Sequence, residues 1–456
     1  MNWENLYSSL RTGSEHRQQA QQQDDVRTSF LRDYDRIIFS SAFRRLQNKT
    51  QVFPLPGAVL VHNRLTHSLE VASVGRSLGK AVGDKLAQLY NRADERFQEF
   101  YRYELASVIA AACLAHDIGN PPFGHSGEDA IRSFFKQLAG DEKQRFVDSL
   151  SDVQQQDFLK FEGNANAFRT LTHDFNEQLG GGFRLTYATL ASIVKYPCDS
   201  LNGFNKALLV TKKSGFFQAE AYTFKQIADA LGLPELEPGK MVYARHPFVF
   251  LVEAADDICY RVIDFEDAHR LGIISTAKIK ELLLAFFSTD EQAKAEKTLD
   301  SIRDENQKMQ YLRAKVINHL ATAVTDIFLQ QEEALLEGSL NKPLIDLLPA
   351  DQLAIIKQID EYSYKHIYNY RSVVEIEIAG YNVIGALLKE YYAALIDGKS
   401  QKSRKLLQLV SRQYVITGKQ EDFYNDLLSI VDFISGMTDL YAVDMYRKIT
   451  GINISS

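Results

Sequence analysis

Apolar residues recur at three- and four-residue intervals along most of the chain, the period that lays one side of an α-helix against a core. In "RDYDRIIFSSAFRRLQ" (32–47) this repeat puts Ile37, Ile38, Ser41, Ala42 and Leu46 on one side. Longer runs of the same kind occupy "LTHSLEVASVGRSLGKAVGDKLAQLY" (65–90), "ELASVIAAACLAH" (104–116) and "PFVFLVEAADDICYRVIDFEDAHR" (247–270). The pattern continues through most of the chain after Ser275. Alternating runs are few and short: Gly180, Gly181 and Gly182 together with "LLVTKKSGFFQAEAY" (208–222) allow one minor hairpin. Gly232, Pro234, Pro238 and Gly239 read as a loop ahead of a helix that starts near Pro247. No segment repeats at a fixed period. The expectation is a mostly α-helical protein with at most a minor β hairpin.

Organisation along the chain follows from where this pattern begins and changes. Residues 1–30 are polar and rich in Gln and read as an arm, 31–275 as a core, and 276–456 as a helical C-terminal region. With 456 residues, 45% of them hydrophobic and 24% charged, the chain suits one large domain or a few subdomains and excludes long disorder. A formal charge of −7 excludes a surface that is basic all over, so a polyanion would need a local cationic cluster. Cys113, Cys198 and Cys259 form no CxxC pair and read as reduced core thiols. The opening residues lack the apolar segment of a signal peptide, and no apolar run is long enough to span a bilayer, so no membrane contact and a cytoplasmic location are expected.

The chemistry concentrates around "HDIGNPPFGH" (116–125), which ends an alanine-rich helical run. A bare His-Asp pair at a helix end reads more readily as a cap and turn. Its context adds more: His67 enters a second amphipathic helix and Asp256 lies on a third. Imidazoles and carboxylates from three helices suit a divalent cation in a catalytic site with open positions, unlike the closed sites of structural zinc. Glu128 lies one helical turn after His125, where it can orient the imidazole or take part in a capping box. There is no GxxxxGK[ST], so phosphate would be held by side chains and metal.

The ordered set His67, His116-Asp117 and Asp256 resembles the HD-domain superfamily of metal-dependent phosphohydrolases. The blocks "SSAFRRLQNKTQVF", "HNRLTHSLEVA", "AHDIGNPPFGHSGE", "FEGNANAFR", "KYP", "EAADDICYRVIDFED" and "SGMTDLYA" resemble, more narrowly, the bacterial deoxyguanosine triphosphate triphosphohydrolase family. That resemblance implies an HD-domain helical core with additional C-terminal helices completing the nucleotide site and oligomer contacts. It also implies one-step hydrolysis of dGTP or several dNTPs to deoxynucleoside and tripolyphosphate, at the bond between the α-phosphorus and the 5′ oxygen.

By the same resemblance, His67, His116, Asp117 and Asp256 are metal ligands, for Mn2+ or Mg2+ with Fe2+ or Zn2+ as alternatives. His125 is the acid, with Glu128 beside it. Arg64, Lys195, Tyr196 and Lys213 surround the phosphates, with Lys212 an equal candidate by spacing. Gln51, Val52, Tyr260 and Asp264 meet the sugar, and Asn120 and Asn164 are further contacts. Val52 and Tyr260 would crowd a 2′ hydroxyl, a way of rejecting ribonucleotides by clash. The implied partners are a dNTP substrate, a dNTP activator, single-stranded DNA and further copies of the chain, as a hexamer. The sequence departs from the family at Leu440, where many relatives carry Arg after "MTD". The alternatives are another HD-domain nucleotide phosphohydrolase, or a catalytically silent nucleotide-binding regulator.

Overall fold

A stripe of glycines decides how the two central helices meet. Gly75, Gly79 and Gly83 follow at four-residue spacing on the Arg64–Leu89 helix, which places them on one face. The Leu105–Ala115 helix, with its run of alanines, packs on that face. A methyl carbon at Gly75 would stand 2.4 Å from the Cys113 sulfur, and one at Gly83 2.0 Å from the Tyr101 carbonyl oxygen. With no side chain at these three positions, the helix leaves room for Cys113, Ile109 and the Ala106 backbone, and the two helices approach closely. His67, about two turns before Gly75, comes to face His116 with ring centroids 5.4 Å apart. The Pro247–Arg270 helix packs against both, with Pro247 in its first turn and His246 accepting from the Phe248 N–H.

The computed structural model describes residues 1–13, 27–53, 61–175 and 180–452. Its buried side chains form two main cores. One surrounds the three helices above; the other is built by the His125–Lys136, Arg371–Asp397 and Phe423–Ser435 helices. The turn over 116–125 crosses between them, with Ile118 in the first core and Phe123 in the second. The Gly163–Thr172 helix bridges the same seam, contributing Ala165 to the second core and Phe168 to the first. On its far turn Arg169, 1% exposed, binds Asp432 at 2.8 Å and Glu220 at 2.5 Å. The fold is thus mostly α-helical, as the periodicity predicts, and among the described residues no helix is long and apolar enough to cross a membrane.

Local details differ from the sequence reading. The helix expected over 32–47 is two, Ser29–Ile38 and Ser41–Arg45, because the Ser40 hydroxyl accepts from the Phe43 N–H and starts a new helix. The hairpin lies at Glu235–Glu237 and Val242–Tyr243, not at 180–182 and 208–222. Gly239, at φ +77, supplies its turn. In the expected strand, Leu209 with Val210 and Phe216 with Phe217 are buried as adjacent pairs, which a strand's alternating faces do not permit on one-sided packing. Within the expected arm, Trp3, Leu6 and Tyr7 are buried in the first core. Residues 14–26, with His16, lie outside the described residues. All three cysteines are free and buried.

Replacing Arg169 with Leu leaves Glu220 and Asp432 as unpaired buried carboxylates. We expect a loss of about 3–5 kcal/mol in urea unfolding; a loss under about 1 kcal/mol would show that the pairing does not hold the seam together.

Candidate active site

Three helices bring ligand atoms to one point. Asn63 caps the Arg64–Leu89 helix by accepting from the Thr66 N–H, while the Thr66 hydroxyl accepts from the Asn63 N–H. This capping box fixes the first turn, which carries Arg64 and His67. His116 follows the last turn of the Leu105–Ala115 helix, and its Nδ1 lies 2.6 Å from the Cys113 carbonyl. A carbonyl only accepts, so Nδ1 is the donor and Nε2 is the lone-pair nitrogen. Nε2 is buried without a hydrogen-bond partner. Asp256 Oδ1 lies 3.2 Å from His67 Nε2 and 3.5 Å from His116 Nε2. One ligand atom from each of His67, His116 and Asp256 lies within 4.8 Å of the others. Two imidazoles and a carboxylate, with one ring nitrogen orphaned and the other anchored to a carbonyl, are a donor set that fits a divalent cation.

Asp117 stands at the edge of this cluster. Its Oδ1 is 3.6 Å from His116 Nε2, but Arg64 donates to Oδ2 at 2.7 Å and Asn120 to Oδ1 at 2.5 Å. Against the penalty of burial, the Arg64 guanidinium and the imidazoles hold the Asp117 carboxyl well below the usual carboxylate range. Lys195 donates to Asp256 Oδ2 at 2.7 Å. Asp257, the next residue on the helix, points away to Arg261, with Oδ1 3.3 Å from Nη1.

Gly119 does not end a helix through a left-handed turn. It lets the turn pass close to the Gly163–Thr172 helix, where a methyl carbon would stand 2.1 Å from the Ala167 nitrogen. Left-handed backbone occurs later, at Phe123 (φ 63) and Gly124 (φ 58). His125 then opens the next helix, and its Nδ1 lies 3.0 Å from Glu128 Oε2. No side-chain cap forms there; Glu128 instead accepts from the Gly163 N–H at 2.8 Å. The His125 ring is 84% exposed, while Glu128 is buried. The bond to Glu128 raises the imidazole pKa, with desolvation opposing, and Glu128 is lowered in turn because His125 and Lys213 outweigh its burial.

These groups line a cavity of about 510 Å³, a volume suited to a small ligand. Gln51, Val52, Tyr196, Tyr260 and Asn164 also line it. Lys213 lines it and holds Glu162 at 2.8 Å, whereas Lys212 is exposed and outside the lining. Asp264 does not reach the cavity: it is 3% exposed, and the Tyr368 hydroxyl donates to it at 2.7 Å. The Tyr368 ring stacks on Tyr260 at 5.7 Å and lines the cavity with Tyr364, Ile376 and Glu377. Sequence reading passed over these residues, although tyrosines four apart in "EYSYKHIYNYR" carry the signal. It also passed over Glu162, which accepts from Asn164 at 2.7 Å. His62 was missed too: its Nδ1 lies 2.8 Å from Asp267 and its Nε2 3.2 Å from Glu70. Against burial, those carboxylates push the His62 pKa up to about 10. Around the cavity, Gln51 Oε1, Arg64 Nε and Glu162 Oε2 join His116 Nε2 as buried polar atoms without a hydrogen-bond partner. Buried polar atoms are seldom left unpaired, so such a concentration marks a ligand site.

Comparison with known proteins adds an independent line. The HD domain family model matches residues 64–196, and the phosphohydrolase-associated domain model matches 348–448. The chain is 38% identical to a deoxyguanosinetriphosphate triphosphohydrolase-like protein of Synechocystis sp., over 100% of both chains. It is 40% identical to a protein of the same name in Pseudomonas aeruginosa, over 99% of each. A deoxyguanosinetriphosphate triphosphohydrolase of Serratia proteamaculans is 31% identical, over 94% of this chain and 95% of its own.

Two measurements test the geometry. Asp256→Ala should weaken Mn2+ binding in calorimetric titration by at least about tenfold, the loss typical even for groups that only support a ligand. Glu128→Gln removes the charge that raises His125, so the imidazole pKa followed by NMR should fall; an unmoved pKa would uncouple the pair.

Proposed function

The chain belongs to the deoxyguanosinetriphosphate triphosphohydrolase-like family of HD-domain proteins, and on that premise we propose that it hydrolyses deoxynucleoside triphosphates, dGTP or several dNTPs, to the deoxynucleoside and tripolyphosphate. The observation that carries the reading is one cavity holding the His67–His116–Asp256 cluster, an exposed His125 backed by a buried carboxylate, and cationic side chains.

As a water oxygen bonds to the α-phosphorus, the bond from phosphorus to the 5′ oxygen breaks and leaves charge on that oxygen, and a positioned acid that gives it a proton lowers the cost. His125 is the proposed donor. Glu128, held by the Gly163 N–H, keeps the ring oriented and favours its charged form. When bound at His67, His116, Asp256 and Asp117, a divalent cation, Mn2+ or Mg2+ before Fe2+ or Zn2+, supplies Lewis acidity toward the α-phosphate oxygens. Arg64, Lys195 and Lys213 offer charge to the triphosphate, and Tyr196 a hydroxyl.

Each of the three cations is already paired, with Asp117, Asp256 and Glu162 respectively. A triphosphate therefore enters a site whose charges are already held in place, which reduces the reorganisation needed on binding. Gln51, with its unpartnered Oε1, suits the 3′ hydroxyl, and Val52 the crowded 2′ carbon. Because Asp264 is covered by Tyr368, we assign the sugar contact expected of Asp264 to the Tyr368 hydroxyl, with Asp264 orienting it. Asn120, turned to Asp117, holds that carboxylate, and Asn164 orients Glu162 behind Lys213.

The test is turnover of each dNTP and of GTP with Mn2+ or Mg2+, singly and in pairs, with products separated by ion exchange. Deoxynucleoside and tripolyphosphate are expected, with His125→Ala slowing turnover by about 10²–10⁴-fold while Mn2+ binding persists. Monophosphate with pyrophosphate, or full activity in the His125 variant, would overturn the mechanism.

A further inference from the structure

Two residues that line the cavity, Thr50 and Phe123, are held from outside it by one side chain near the end of the described residues. "SGMTD" (435–439) joins the Phe423–Ser435 helix to the Asp439–Thr450 helix. Thr438 caps the second helix by accepting from the Tyr441 N–H, which leaves the Asp439 carboxylate for another use. It is 7% exposed and turned inward. Oδ2 accepts from the Thr50 backbone N–H at 2.8 Å, and Oδ1 accepts from the Phe123 backbone N–H at 3.0 Å.

The two donors belong to the two sides of the proposed reaction. Thr50 directly precedes Gln51 and Val52. Phe123 stands two residues before His125 with φ at 63, a region a side-chain-bearing residue takes only when its surroundings impose it. The surroundings are visible here. A methyl carbon at Gly380 would lie 2.8 Å from Phe123 Cβ, so only glycine leaves room for Phe123, and Asp439 takes its N–H. Adjacent bonds brace the same turn. Lys49 Nζ donates to the carbonyls of Asn120 and Ser435, and Asn166 Nδ2 to the Gly119 carbonyl and the Ser435 hydroxyl.

We propose that Asp439 is a positioning residue: its single carboxylate sets where His125 stands relative to Gln51 and Val52. The kinetic part of this inference rests on the function proposed above. A carboxylate of this length accepts on both oxygens, whereas an amide accepts on one and presents N–H groups on the other side. Asp439→Asn therefore keeps the size but sets a donor against either Thr50 or Phe123.

The experiment compares full-length wild type, Asp439→Asn and Asp439→Glu. For Asp439→Asn we expect a folded protein that binds Mn2+ as wild type does, since His67, His116 and Asp256 receive no bond from Asp439. Its kcat should fall at least tenfold, its preference for a dNTP over GTP should narrow, and the NMR titration of His125 should shift. Asp439→Glu, which keeps two acceptors, should retain more kcat than Asp439→Asn, and it carries the same comparison against wild type if Asp439→Asn does not fold. Wild-type kcat and selectivity in folded Asp439→Asn, or in Asp439→Glu where Asp439→Asn does not fold, would overturn the proposal. So would a loss of stability and of Mn2+ binding with the His125 titration and the selectivity unchanged, because that is the signature of a purely structural bond. If the wild-type protein hydrolyses no nucleotide, the functional reading fails by itself, and the His125 titration alone decides the role of Asp439: a shift supports it, an unmoved ring overturns it.

Discussion

The close approach of two helix backbones sets the distances on which the rest of the site depends. Gly75, Gly79 and Gly83 carry no side chain into this contact, which leaves room for Cys113, Ile109 and the Tyr101 carbonyl. His67 and His116 are consequently near enough to share Asp256 Oδ1. Larger residues at this contact would separate the helices, because close-packed interiors have no slack to absorb them. The same logic recurs at Gly119 against Ala167 and at Gly380 against Phe123. At each of these places the absence of a side chain lets a backbone carry a functional group to where it is needed.

Charge is distributed with similar economy. Arg64 with Asp117, Lys195 with Asp256, and Lys213 with Glu162 are opposite-charge pairs, each formed by groups that line the cavity. An isolated charge so far from water would be costly, and pairing offsets that cost while fixing each group's direction. A chain with a formal charge of −7 thus gathers three cationic side chains around one cavity. His125 differs from these: its carboxylate partner is buried while its own ring faces the open cavity, an arrangement that suits a group whose proton must leave and return.

The site also depends on the seam between two cores. The 116–125 turn crosses it, the Gly163–Thr172 helix spans it, and Arg169 and Asp439 tie the C-terminal helices across it. The matched phosphohydrolase-associated domain, 348–448, covers Tyr364 and Tyr368 on the cavity wall and Asp439 behind it. The C-terminal half is therefore part of the cavity's construction.

Much of this was legible along the chain, because helical period and local capping are short-range properties. "PFVFLVEAADDICYRVIDFEDAHR" begins and ends where its helix does, and the residues of "HDIGNPPFGH" cluster where a His-Asp turn would carry them. The 235–243 hairpin was misplaced because adjacent burial of Leu209 with Val210 imitates a strand's hydrophobicity without its alternation. Partners far apart in the chain carry no periodic mark: Tyr368 over Asp264, His62 between Asp267 and Glu70, and Asp439 on Thr50 and Phe123. Sequence by itself determined most of the helical segments and the supply of imidazole and carboxylate side chains, since period and residue type are local. Tertiary structure alone decided which carboxylate faces a ligand and which is covered, because a side chain's direction is settled by whatever packs against it.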